Sequence, residues 1–299
     1  MSKSIASWFT VVRVIVMVGV VVLVASAIGW WRLVYSSPSN VFDRMLANSL
    51  SSPSVTKVVT QADESQNLNQ TSALVTEPQQ IVLARSVLGQ TLDPDTTVTT
   101  ESIGTPTTDF VRYTDIKTSQ KNASGKAFDF SSVIGLWGKS DQNDPNGSDA
   151  QLFNQTVLGV VPVANVRQPL RAALLEEIKT NSVYKIDTGS VKRQLVNGRP
   201  VYTYDVTIVP VAYVTMLKNF ARALGITQLE QVDPSQYENS APLKFILDVD
   251  VWSGQLKKVA YGGSERTELY SAYGARSQID LPATSIGVDE LQTRLQQIQ

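Results

Sequence analysis

The stretch Leu243-Lys-Phe-Ile-Leu-Asp-Val-Asp-Val-Trp252-Ser-Gly-Gln-Leu-Lys-Lys-Val-Ala-Tyr261 decides the fold. Leu243, Phe245, Leu247, Val249 and Val251 alternate with Lys244, Asp248 and Asp250. Period two is the mark of a strand with one apolar face. Ser253-Gly254 is a turn signal, and Leu256–Tyr261 returns as a second strand. Just upstream, Val191–Val196 and Val201–Ile208 flank Asn197-Gly198, the residue pair that best fits a two-residue hairpin turn. Pro200 stands at the start of its strand, where a missing N–H is tolerated. Val211–Leu224 then changes to helical spacing, with Tyr213, Leu217 and Phe220 on one face and Gly225 placed to end the helix.

The same alternation continues outward. Ser54–Gln61, Ser72–Thr76, Gln80–Leu88, Thr96–Ile103 and Thr108–Ile116 read as strands, separated by turn signals such as Asp93-Pro94-Asp95 and Gly104-Thr105-Pro106. No long helix interrupts them, so an antiparallel meander is expected. Residues 118–127 and 139–150 are polar loops around Phe128–Lys139, which carries Phe130, Val133, Ile134 and Trp137. Helices are expected at Val41–Leu50, with Asn40 as cap, at Asn165–Thr180, with Asn165 as cap, and at Val288–Ile298. Glu265–Tyr273 supplies another strand after Gly262-Gly263. The fold class is α+β: an antiparallel sheet with helices over one face.

The N-terminus suggests a location. Val14 to Trp31 is a run of 18 residues without a charge. At ~1.5 Å per residue it approaches the ~30 Å hydrocarbon thickness of a bilayer. Trp8, Trp30, Trp31 and Tyr35 lie near its two ends, as an aromatic belt would. Lys3 and Arg13 precede the run and Arg32 follows it, a slight positive-inside bias. The expectation is a short cytoplasmic tail (1–10), a single-pass anchor or uncleaved signal (11–35) and an extracytoplasmic domain (36–284) ending in a helix (285–299). Cleavage after Ala25-Ser26-Ala27 is the competing reading, and it places the same domain outside the cytoplasm.

Composition narrows the chemistry. The 299 residues include no Cys and no His, which excludes disulfides, thiol nucleophiles, Cys/His zinc sites and Ser-His-Asp triads. Lys and Arg number 26 against 27 Asp and Glu, so no basic excess points to nucleic acid. Asp205, Asp248 and Asp250 sit on strands, and the last two share the face opposite the apolar residues; solvent-facing roles are expected for them. Asp141–Gly147 has some character of a calcium loop, but Gln142 and Phe153 stand where ligands are needed, so a solvated turn is expected. Lys192, Arg193 and Arg199 form a small basic cluster about the hairpin. No cofactor, metal or catalytic set is expected, and the chain is read as a non-enzyme.

Residues 200–282 resemble the periplasmic lipoprotein-carrier superfamily, the group of LolA and of the mycobacterial LppX/LprG-type proteins. Four features carry the resemblance. The strand Val201–Ile208 leads directly into the helix 211–224. Phe245–Trp252 turns at Ser253-Gly254 into Leu256–Tyr261. The run Tyr270–Gly274 followed by Ile279-Asp-Leu-Pro282 is similar to that family's closing strand. Val41–Leu50 is similar to its opening helix. The resemblance implies that the antiparallel sheet is curved into a half-barrel whose concave face, covered by helices, holds acyl chains. A lipid or other hydrophobic ligand would then lie against Tyr213, Leu217, Phe220, Phe245, Leu247 and Val249. The chain departs from the family in its N-terminal anchor and in extra material at 117–165. A filled core gives the same periodicity as a cavity wall, and a non-catalytic envelope scaffold with protein partners is the alternative.

Overall fold

The computed structural model describes residues 34–62, 67–76, 82–93, 95–122, 124–141, 152–226, 229–275 and 278–298, with scattered positions between 17 and 30. Their backbone is a large, open, curved and mostly antiparallel sheet with a few helices. The strands are β1 (Ser54–Ala62), β2 (Asn67–Thr76), β3 (Val82–Asp93), β4 (Thr96–Gly104), β5 (Thr108–Thr118), β6 (Gly138–Asp141), β7 (Tyr184–Ile186), β8 (Lys192–Val196), β9 (Arg199–Ile208), β10 (Leu243–Asp250), β11 (Leu256–Tyr261), β12 (Thr267–Ser271) and β13 (Ile286–Gly287). The helices are α1 (Pro38–Ser49), α2 (Leu152–Val157), α3 (Leu170–Thr180), α4 (Pro210–Ala223) and α5 (Val288–Gln296).

The sheet order is β13-β6-β5-β4-β3-β2-β1-β12-β11-β10-β9-β7, with β8 on β9. The meander β1 to β5 therefore forms one half and β9 to β12 the other, joined where β1 pairs β12 with Thr56 opposite Ser271. Only the short β13–β6 pair is parallel among these strands. Asn197 and Gly198 both have positive φ, 50° and 76°, as a type I′ turn requires. A bulge lies between Asp248 and Val249 where β10 meets β11.

Helices α1, α3 and α4 pack onto one face of the β9–β12 half and of its neighbours β1 and β2. Val41, Met45, Leu174, Ile178, Met216 and Phe220 meet Val55, Leu74, Tyr204, Val206, Leu247 and Val249 in one buried cluster. A second, smaller cluster lies at the other end of the sheet, where Leu291 of α5 packs on Phe130 and Val133.

Several expected boundaries move for identifiable reasons. The helix expected at 165–180 begins at Leu170. Pro169 disfavours helical backbone at Gln168, and residues 164–166 are used elsewhere: Ala164 and Val166 donate to the carbonyls of Ser49 and Leu50 at the end of α1. Asn165 is therefore not a cap. α1 begins at Pro38, not Val41, and the Asn40 amide donates to the Val34 carbonyl instead of capping. Ile279–Pro282 forms no strand, and the closing strand is β12 alone. Asp250 does not face solvent. It is 1% exposed and accepts from the backbone N–H groups of Trp252 and Ser253, with Arg199 at 2.7 Å. Its carboxylate organises the β10–β11 turn, a use that strand alternation alone cannot reveal.

More than half of the anchor expected at 11–35 lies outside the described residues. Among those described, no helix is long and apolar enough to cross a membrane. Residues 142–150, with most of the supposed calcium pattern, are likewise outside them.

Candidate functional site

One strand displays the organisation of the inner face. Along β3, Ala84, Ser86, Leu88 and Gln90 point the same way, because side chains repeat every second residue. Ala84 belongs to the large core cluster, Ser86 to a polar belt, and Leu88 and Gln90 to an open cavity.

The filled region is where the sequence places a ligand. Phe220, Leu247 and Val249 are completely buried there, and Tyr213, Leu217 and Phe245 are half-buried against the same cluster. The structure thus brings all six together, as side chains of a packed core. Tyr213 also donates to the Gly159 carbonyl, which fastens the segment after α2 over this end of the sheet.

The belt is polar and buried. Ser72 donates to Ser86, and the Gln70 amide does the same. Glu268 accepts from Tyr270 at 2.6 Å, from Tyr261 at 2.7 Å and from Arg266 at 2.9 Å. Burial pushes the Glu268 carboxyl up, but Lys57 and these hydrogen bonds outweigh it and hold the group below its ordinary range. Lys57 is almost completely buried; desolvation lowers its ammonium pKa, with Glu268 opposing and Arg266 adding to the fall. Its ammonium also reaches the Thr156 carbonyl at the end of α2. Uncompensated charges at such depth cost several kcal/mol each, so the belt is a fixed polar seam between two apolar zones.

Beyond the seam lies a cavity of about 550 Å³. Its floor is Leu88, Leu92, Val98, Tyr113 and Ile116, with Gln90, Thr96, Thr100, Thr118 and Gln120 interspersed. Its roof is Phe128, Phe130 and Leu295. The size and the apolar lining with a few polar groups match small-molecule and lipid pockets, which run ~300–1,000 Å³. Burial raises the Tyr113 phenol above its usual value, so it stays neutral at physiological pH. The roof rests on a close contact. A Cβ added to Gly138 would stand 2.9 Å from the end of the Leu291 side chain and 3.2 Å from the Val288 backbone, so the missing side chain at Gly138 lets α5 seat closely. Ile286 donates to the Trp137 carbonyl and completes the seat.

A second, more open groove of about 600 Å³ runs between α1 and α3, lined by Phe42, Leu46, Leu175 and Ile178 but rimmed by Asp43, Arg44, Glu176 and Lys179. A smaller recess of about 210 Å³ lies under residues 278–282, where Glu101 holds both Arg85 and Arg112. Burial would raise the Glu101 carboxyl, but hydrogen bonds from the two arginines hold it below its ordinary value. Among the described residues no cluster of acidic side chains is arranged to hold a metal ion.

The 550 Å³ cavity is not where periodicity points. Its signal is distributed: alternate residues on three strands, two phenylalanines in a polar loop and one leucine at the C-terminus. Phe128 and Phe130, two residues apart between polar segments, are the available clue.

No protein-family model matches the sequence, and no curated protein matches it. Among solved structures, LprF from Mycobacterium bovis aligns over 83% of this chain and 100% of its own, at 15% identity and a TM-score of 0.42. At that distance, ligand and activity must be read from this chain's own residues.

Proposed function

We propose that this chain is a membrane-anchored, extracytoplasmic, non-catalytic binding protein, and that its ligand is a lipid or another hydrophobic molecule. The supporting observation is the roofed apolar cavity over β3–β5, on the same sheet face whose other half is already filled. The ligand site is this cavity, floored by Leu88, Val98 and Tyr113, and not the surface beneath α4. Each methylene transferred there from water contributes ~0.8 kcal/mol before ordering costs. The apolar run at 14–31 supports the anchor, with the N-terminus in the cytoplasm.

The test is organic extraction and mass spectrometry of the purified full chain. The expected result is a defined lipid at constant stoichiometry that falls sharply in Leu88→Trp. A chain free of lipid, taking up neither added fatty acid nor phospholipid, would contradict the reading. The filled core around Phe220 and Leu247 favours a second account in that case, an envelope scaffold that binds protein partners.

A further inference from the structure

The residues that follow the apolar run are fastened to one end of the sheet. The Tyr35 hydroxyl donates to the Trp252 carbonyl at 3.3 Å. Arg44 donates to the carbonyls of Tyr35 and Val251 and stacks its guanidinium 3.7 Å from the Tyr35 ring centroid. Tyr202 and Tyr204 donate to the carbonyls of Ser36 and Pro38, each at 2.8 Å. The chain is therefore fixed to the sheet from Tyr35 onward. Four residue steps separate Trp31 from Tyr35, at most ~14 Å if fully extended.

That end of the sheet carries side chains suited to a lipid interface. Trp252 is 48% exposed at the β10–β11 turn and Leu195 is 75% exposed at the β8–β9 hairpin. The two turns are neighbours: Val251 donates to the Pro200 carbonyl, and the Arg199 guanidinium lies 5.6 Å from the Trp252 ring centroid. Lys192 and Arg193 are exposed on β8. Indole rings favour the headgroup layer, and cations favour anionic leaflets.

We propose that this end of the domain lies against the outer leaflet of the membrane its own anchor spans, with Trp252 and Leu195 in the interface and Lys192 and Arg193 on anionic headgroups. The inference rests on the anchoring read above. The domain then stands at a fixed orientation, its strand ends at 118 and 93 directed away from the end that touches lipid.

The chain has no cysteine, so single cysteines report cleanly. Full-length Trp252→Cys, Leu195→Cys, Lys126→Cys and Val20→Cys would each carry an environment-sensitive fluorophore in vesicles of phosphatidylethanolamine and phosphatidylglycerol. Lys126 follows β5 at the opposite strand end, and Val20 sits within the apolar run. Nitroxide lipids labelled near the headgroup should quench positions 252 and 195 several-fold more than 126, and lipids labelled deep in the chain should quench position 20. Quenching at 20 with positions 252 and 195 no different from 126 overturns the apposition and leaves the anchor standing. An unquenched position 20 overturns the anchor and the apposition with it. Lys192→Glu with Arg193→Glu should lower quenching at 195, and unchanged quenching overturns the electrostatic part.

Discussion

The two halves of the sheet solve the same problem differently. Over β9–β12 and β1–β2 the inner face is closed by three helices, and Tyr204, Phe220, Leu247 and Val249 leave it filled. Over β3–β5 the cover is α2 near the seam and, beyond it, a loop and the short helix α5 seated on Gly138, and a cavity of about 550 Å³ remains. A continuous helix offers a whole stripe of side chains to a sheet, whereas Phe128, Phe130 and Leu295 touch it at separate points. On the proposed reading the difference gives stability to one half and binding to the other, with the Lys57–Glu268 seam between.

Substitutions can break that division. Phe220→Ala should cost about 3–5 kcal/mol, the usual range for a buried phenylalanine, measured by chemical denaturation, with binding per folded molecule unchanged. Glu268→Ala should cost about 3 kcal/mol, because it removes the carboxylate whose charge opposes the desolvation of buried Lys57. Acid should act on the same groups. Glu268, Asp250 and Glu101 are held below their ordinary values. Their contribution is complete above the usual carboxylate range of about 4 and is lost as pH falls through the lower folded values. The thermal midpoint should therefore drop below about pH 4, and Glu101→Gln should flatten part of that slope.

Smaller effects sharpen the comparison. Gly138→Ala should cost about 1–3 kcal/mol by unseating α5, and ligand should dissociate faster because the roof is displaced. Leu88→Trp should leave stability within about 1 kcal/mol of the parent, as cavity-filling changes do, while removing most ligand. A denaturation curve and a stopped-flow release measurement separate the two.

The sequence makes much of the architecture visible. The strand from Leu243, the Asn197-Gly198 turn and the helix after Pro210 all appear as expected, because each is set by neighbours within a few residues, although Leu243 is exposed and Asp250 buried, against the simple alternation. The helix starts at 38 and 170 depend on Pro38 and on Pro169 together with the contacts of residues 164–166, which a search for polar caps passes over. Asp250 is buried because a turn closes around it, and periodicity assigns it to solvent. The six side chains expected to line a ligand site are drawn together, but as packed core. The cavity itself is assembled from residues 88 to 295, and no local window contains that information.

The central claim is that the cavity over β3–β5, and not the surface under α4, takes the ligand. Uptake of a fluorescent fatty acid by full-length Leu88→Trp and Leu217→Trp tests it directly. Loss of uptake in Leu88→Trp with near-parental uptake in Leu217→Trp is the predicted result. Retained uptake in Leu88→Trp together with its loss in folded Leu217→Trp would contradict the account and return the site to the helix-covered half.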